Sequence, residues 1–379
     1  MCVPLWECRH QVHRRLFTGP GNSDHGVLNL RDRASQSKCL LFSSLLLQFG
    51  FGTGSLWCRK SFDRTRAPTF RDRDKCHMIF SEETQVGEAV RYDSLSVFPL
   101  FGKSGIAVDY LLSDEAIRSG QVTVEEIDQA GSVPDLMVEN KGDVRVLFLE
   151  GEELVGAKQN RILNTSILVA AGSKIKIPVS CVEQGRWRYR SQRFRSSGSH
   201  SPSKLRYALK ASVARSAKEK RGHRSDQSKV WEEVERQQRS FGVCSETVAM
   251  SDTFDSHREK IARFQNDLRY VDGALGMIVA VGAKVVALDM FDRPSTCRKV
   301  WNRLLTGFAI DALEGEQCRK PLESIDAKTL LDVFDNASWE QVETVGEGEE
   351  RRAETQIGQH ASVLSVGGVV VHASVLAGR

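Results

Sequence analysis

The residues whose types and spacing suggest chemistry lie between Val144 and Trp187, in VRVLFLEGEELVGAKQNRILNTSILVAAGSKIKIPVSCVEQGRW. Glu150, Glu152 and Glu153 crowd one glycine-containing turn. Carboxylates held together raise one another's pKa, which is how a general acid is made. A solvated turn that simply favours polar residues is the competing reading. Lys158, Gln159, Asn160 and Arg161 follow, then Asn164, Thr165 and Ser166. Amides and a guanidinium present directed donors to a ribose, a base edge or a phosphate. The same groups also serve as loop glue. In PVSCVEQGRW an unbroken strand places Cys181, Glu183 and Trp187 on one face. A thiol close to Arg186 is lowered in pKa and becomes a nucleophile, but no histidine is near and buried filler is the expectation for Cys181. Glu183 and Arg186 are spaced to pair across Gly185.

Past Trp187 the chain turns basic, with 13 Lys/Arg against the single Glu219 from Arg186 to Arg224. Arginine alternates with aromatics in RWRYRSQRFR, a composition suited to phosphate contact and base stacking. An alternating strand with its aromatics inward, followed by a flexible SSGSHSPS loop, reads the same way. Other signatures are missing. Gly102-Lys103-Ser104 resembles the end of a phosphate loop, yet Val97 stands where the first glycine is required. There is no GxSxG, HExxH, EF-hand loop or GxGxxG after a strand, and no CxxC spacing. No metal ligands are assigned.

These residues need a scaffold, and the pattern around them is mixed. SLSVFPLFG alternates until Pro99, which limits it to an edge or a strand end. VDYLLSDEAIRSG reads as a strand entering a short helix between Ser113 and Gly120, and QVTVEEID and DLMVENKG as short strands. Segments 146–157, 277–289 and 362–374 each join two apolar runs through glycine, the pattern of a tight hairpin. Between the first two lie amphipathic helices in SKLRYALKASVARSAKEK, KVWEEVERQQRSFG and SHREKIARFQNDLRYVDG, the last capped by Ser256. A longer one starts at DRPSTCRKVW, with Pro294 in its first turn and Gly315 at its end, and DAKTLLDVF forms a last short one. Strands, then helices, then strands predict an α+β domain with a largely antiparallel sheet built from hairpins.

Residues 1–77 are different in kind. They carry 13 Lys/Arg against 6 Asp/Glu, a net of +7 that leaves the remainder at −3 of the total +4. Five of nine cysteines fall there, with no sustained period of 2 or 3.6. A basic disordered arm fits, as does sequence upstream of a true start near Met78, and the second is favoured; 78–379 is expected to form one α+β domain. The opening residues lack a secretory pattern, and the best apolar run, Cys39 to Phe51, is shorter than the roughly 20 residues of a membrane span. A soluble, cytoplasmic protein with reduced thiols is expected, without a membrane partner. Neither oligomeric state nor cofactor is legible.

FLEGEELVGAKQNRILNTS, PVSCVEQGRW, the second hairpin with its following helix, and the VGEGEE-to-VVVHAS ending resemble, in that order, the ADP-ribosylglycohydrolase- and rhodanese-phosphatase-superfamily-associated protein domain. The likeness runs from about Asp93 to the C-terminus. It implies a role in NAD or ADP-ribose metabolism, suggested by the company that family keeps. The matching motif positions are Glu150, Gly151, Glu153, Gly156, Lys158, Gln159, Asn160, Arg161, Asn164, Cys181, Glu183, Gly185, Arg186 and Trp187. The resemblance thus leads to an expected ADP-ribose-like or NAD-derived small-molecule ligand. Gln159, Asn160 and Asn164 would read sugar or base, Lys158, Arg161, Arg186 and Trp187 would complete the contacts, and Glu153 or Glu183 would supply acid/base chemistry. A non-enzymatic scaffold module and nucleic-acid binding through 186–224 are the alternatives.

Overall fold

The computed structural model describes residues 84–105, 108–128, 133–315, 322–324, 333–334, 337–355 and 357–378. The chain divides into two units, Met1–Ala67 and Pro68–Arg379, and every described residue belongs to the second. The basic arm expected over 1–77 lies outside the described residues, as does most of DAKTLLDVF.

In chain order the described part begins with β1 (Gln85–Val86), β2 (Val90–Tyr92), β3 (Leu95–Phe101), β4 (Tyr110–Leu112) and α1 (Ser113–Arg118). Next come β5 (Val122–Glu126), β6 (Asp135–Asn140), β7 (Arg145–Phe148), β8 (Glu152–Gly156), β9 (Arg161–Leu163), β10 (Ile167–Val169), β11 (Lys174–Cys181) and β12 (Phe194–His200). The helical section holds α2 (Ser203–Lys218), α3 (Gln227–Phe241), α4 (Met250–Ser256) and α5 (Arg258–Asp267). Then follow β13 (Gly276–Val281), β14 (Lys284–Phe291), α6 (Pro294–Glu314), β15 (Glu340–Val342), β16 (Glu349–Glu354), β17 (His360–Val366) and β18 (Val369–Leu376).

The fold is α+β, and its strands are almost all antiparallel. The largest sheet runs β1-β3-β13-β14-β18-β17-β16-β15, with β2 also on β3. A six-stranded sheet runs β12-β8-β9-β11-β6-β5, and β10-β7-β4 forms the third, in which β4 and β7 are parallel. The edges of the six-stranded sheet meet at a bridge between Glu125 and Arg193, reinforced by their 2.8 Å ion pair, so it curls into a small barrel. Val124, Leu136, Val138, Leu154, Ile177 and Phe194 belong to the apolar cluster inside it. Helices α2, α3, α5 and α6 share a second cluster with one face of the large sheet, with Leu209, Val234, Phe264 and Trp301 among its members. No helix among the described residues is long and apolar enough to cross a membrane.

The second and third apolar–Gly–apolar segments are hairpins, β13–β14 turning at Gly282 and β17–β18 at Gly367-Gly368, all three at positive φ. The first is not. β7 pairs with β10 and β4, whereas β8 pairs with β9 and β12. At the break, Gly151 adopts φ +82 and donates its N–H to Leu163 O, which redirects the chain instead of reversing it. β9 and β10 break likewise at 164–166, so two kinked strands each serve two sheets.

Other differences have equally local causes. β3 is interior, because Pro99, which lacks an N–H, faces the gap between β1 and β2 while Gly87 N–H bonds its carbonyl. Ser256 ends α4 rather than capping a longer helix, and His257 caps α5. SSGSH is not a free loop: it belongs to β12 and pairs with β8 through an irregular register. Arg293 occupies the cap before Pro294 in α6.

Candidate functional site

The polar stretch separates into two places. The first is an interior lock between barrel and large sheet, built at the two strand breaks. Glu150 accepts from Lys210 Nζ at 2.8 Å, and Lys210 also reaches Ser362 Oγ at 2.5 Å. Burial lowers the Lys210 ammonium to about 8 against the pull of Glu150. Four residues along α2, Arg206 binds Asp289 through two bonds of 2.8 and 2.6 Å. That arrangement overcomes the burial of Asp289 and holds its carboxylate far below the ordinary range.

His372 lies with Nε2 3.3 Å from Asp289 and Nδ1 2.8 Å from Ser166 Oγ, which also accepts the Glu150 N–H. Thr165 donates to Glu350, whose carboxylate also meets Arg352 and His223. Glu152 is held by Ser113 and Arg303. Asn164 donates to His223 O and accepts from Ser180. These residues tie elements together and line no opening; Ser166, His372 and Asp289 have the order of a catalytic triad but are buried under packed sheet.

The second place is one mouth of the barrel, where β5, β8, β9, β11 and β12 all end or begin. Cross-strand register puts Leu154, Arg161 and Cys181 on the inner face. Arg161 is fully buried there, 3.7 Å from Glu126, with Nη1 donating to Gln159 Oε1. Its Nε and Nη2 have no hydrogen-bond acceptor. Above it sits Trp187, its ring 5.7 Å from the guanidinium. The Lys158 ammonium lies 5.2 Å from both the Trp187 and the Tyr189 ring. Trp187 is 46 % and Tyr189 50 % exposed, two of the four large exposed apolar side chains among the described residues.

Glu183 and Arg186 fix this rim. Arg186 donates to both Glu183 oxygens at 2.7 and 2.6 Å, and to the carbonyls of Ala157, Arg188 and Gly156 and to Asn160 Oδ1. Burial pushes Glu183 up, but Arg186, the Asn160 N–H and Thr247 prevail and keep it below the usual carboxylate range. The pair expected from spacing is therefore present, and it consumes the guanidinium. Asn160 is similarly engaged, donating to Ser251 and accepting from Gly156 N–H. β11 stops at Cys181, so the continuous strand face expected through Trp187 does not form; burial raises the thiol to about 11, and the expected filler role holds over nucleophilic activation.

Glu153 pairs with Ile162 on the outer wall, beneath the helices. It is buried, and its oxygens make no well-formed hydrogen bond among the described residues. Burial raises it to about 7, opposed by Ser197 and reinforced by Glu183, Asp255 and Asp252. The three turn glutamates do not act on one another as a cluster, because each is turned to a different partner set. Among the described residues no group of three or more His, Cys, Asp or Glu is arranged to hold a metal.

Tyr189 and Glu126 join the mouth without having been singled out in sequence; the alternation in RWRYR was the signal for the first, and Glu126 carried none. The chain from 83 to 376 matches the family model described as the ARG and Rhodanese-Phosphatase-superfamily-associated Protein domain. No curated protein and no solved structure matches the chain.

Proposed function

Because the chain belongs to the ARG and Rhodanese-Phosphatase-superfamily-associated Protein domain family, we propose that the barrel mouth binds an ADP-ribose-like or NAD-derived ligand. Arg161 carries the reading: a buried guanidinium whose Nε and Nη2 lack hydrogen-bond acceptors among the described residues, with only Glu126 at 3.7 Å as counter-charge, lies under a half-exposed tryptophan. Such a group costs free energy unless an anion completes it. Trp187 and Tyr189 would stack the base, while Lys158 and Arg161 take the phosphates. Gln159 orients Arg161, and the Glu183–Arg186 pair with Asn160 holds the rim in place. Asn164 supports the barrel wall instead of touching ligand. Glu153, with a pKa near neutrality, is buried on the outer wall beside Ile162 and away from the mouth, so binding rather than processing is proposed. The working unit is the single domain over 78–379.

Calorimetric titration of the chain with NAD, ADP-ribose and inorganic phosphate tests this. The expected result is saturable binding of ADP-ribose or NAD, weakened by Arg161→Ala; no heat and no shift in melting at millimolar ligand would overturn it. The second reading, a scaffold without ligand, is favoured by the number of polar side chains spent on the interior lock.

A further inference from the structure

The mouth's rim carries more positive charge than a diphosphate requires. Of the basic run that starts at Arg186, much is already engaged. Arg186, Arg206 and Lys210 are buried in ion pairs, and Arg193, Lys204, Lys218 and Arg221 pair with Glu125, Glu314, Glu340 and Glu219. The run is therefore not one basic surface. Arg188, Arg190 and Arg195, in contrast, are exposed with no side-chain partner among the described residues.

Arg188 and Arg190 alternate with the ligand-facing rings, and Arg195 follows in β12 beside the buried Phe194. Arg188 and Arg190 are interleaved with Trp187 and Tyr189 in one short non-strand segment, and all four side chains are exposed. Its backbone is pinned to the barrel: Arg186 donates to Arg188 O, and Arg190 N–H donates to Ala157 O. The rings are held half in solvent, the reverse of a strand that tucks its aromatics inward. Stacking faces beside exposed, unneutralised arginines match unpaired bases on a phosphodiester chain; a duplex hides its bases from such faces.

We infer that the segment 187–195 binds a single-stranded polynucleotide that runs past the barrel mouth. This rests on the reading that Trp187 and Tyr189 stack bases, and extends the ligand from a free nucleotide to a chain of them. Three phosphate contacts predict that affinity falls roughly 20-fold when salt rises from about 50 to about 200 mM.

The test compares ADP-ribose, a single-stranded oligonucleotide of about five nucleotides and its duplex, by calorimetry on the full chain and on the Arg188→Ala/Arg190→Ala/Arg195→Ala variant. The expected result is tighter binding of the single strand than of ADP-ribose or duplex, with the salt-dependent gain lost in the variant while ADP-ribose binding is unchanged. Binding of ADP-ribose with no gain for the single strand overturns the inference and leaves the small-ligand reading standing. Binding of the single strand alone upholds the inference and removes the free nucleotide as ligand. Equal binding of duplex, or a gain that survives in the variant, also overturns it.

Discussion

Lys210 Nζ and Glu150 Oε2 lie 2.8 Å apart with both side chains fully buried, so a turn that looks polar and solvated in sequence is an internal ion pair. Removing one partner strands the other. Lys210→Met should destabilise the chain by about 3–5 kcal/mol, and Lys210→Met with Glu150→Leu should recover much of it, because two apolar groups need no compensation. Urea midpoints of the single and double variants check this; an additive double variant would contradict it.

Glu153 makes stability depend on pH in a defined direction. Its folded pKa of about 7 lies above the unfolded value of 4.5, so the folded chain holds a proton that the unfolded chain has lost. Stability therefore falls as pH rises from the unfolded to the folded pKa, with the full penalty reached above it. Asp311, raised to about 7 by burial, adds the same sign. Glu153→Gln should stabilise the protein at pH 8 by about 3 kcal/mol at most and by little at pH 5. An equal effect at both values would show that the carboxyl is not titrating.

Trp187→Ala should weaken ADP-ribose binding by about ten- to a hundredfold, the worth of one stacked base. The ring is half exposed, so melting temperature should move only slightly. Titration and thermal denaturation of the same sample separate the two effects, and loss of folding together with binding would count against the stacking role.

Arg186 has a positioning role that charge alone cannot replace. Arg186→Ala leaves Glu183 buried and unpaired at a cost of about 3–5 kcal/mol, and Arg186→Lys recovers only part, since an ammonium cannot form the paired bonds to Glu183 and reach the carbonyls of Gly156, Ala157 and Arg188. Loosening of the rim should show as a red shift in Trp187 emission in both variants. A Lys variant as stable as the parent would refute the assignment.

Much of the scaffold was legible because its signals are local. Gly282 and Gly367-Gly368 mark two hairpins, Pro294 and Gly315 bracket α6, and the spacing of Glu183 and Arg186 announced their pair. Segment 146–157 carries the same hairpin grammar, but its course is set by Leu163 O and Lys210, which no local pattern contains. RWRYR reads as two alternating faces, but Glu183 draws only Arg186 inward, and Trp187, Arg188, Tyr189 and Arg190 follow it as an exposed non-strand stretch. Asn160 and Asn164 were expected to read a ligand, and the structure shows their amides engaged by Ser251, the His223 carbonyl and Ser180, partners that no local sequence pattern announces.

The interior lock also sets an order on assembly during synthesis. Lys210 finds Glu150 already made, but part of each cation's partner set comes much later: Ser362 follows Lys210 by 152 residues, and Ser374 follows Arg206 by 168. Ser166 waits 206 residues for His372. Until the C-terminal hairpin emerges, two cations of α2 lack part of their native partner set, and closing the apolar layer over them is unfavourable. Consolidation of this fold therefore waits until β18 has been synthesised, because that strand completes the interior.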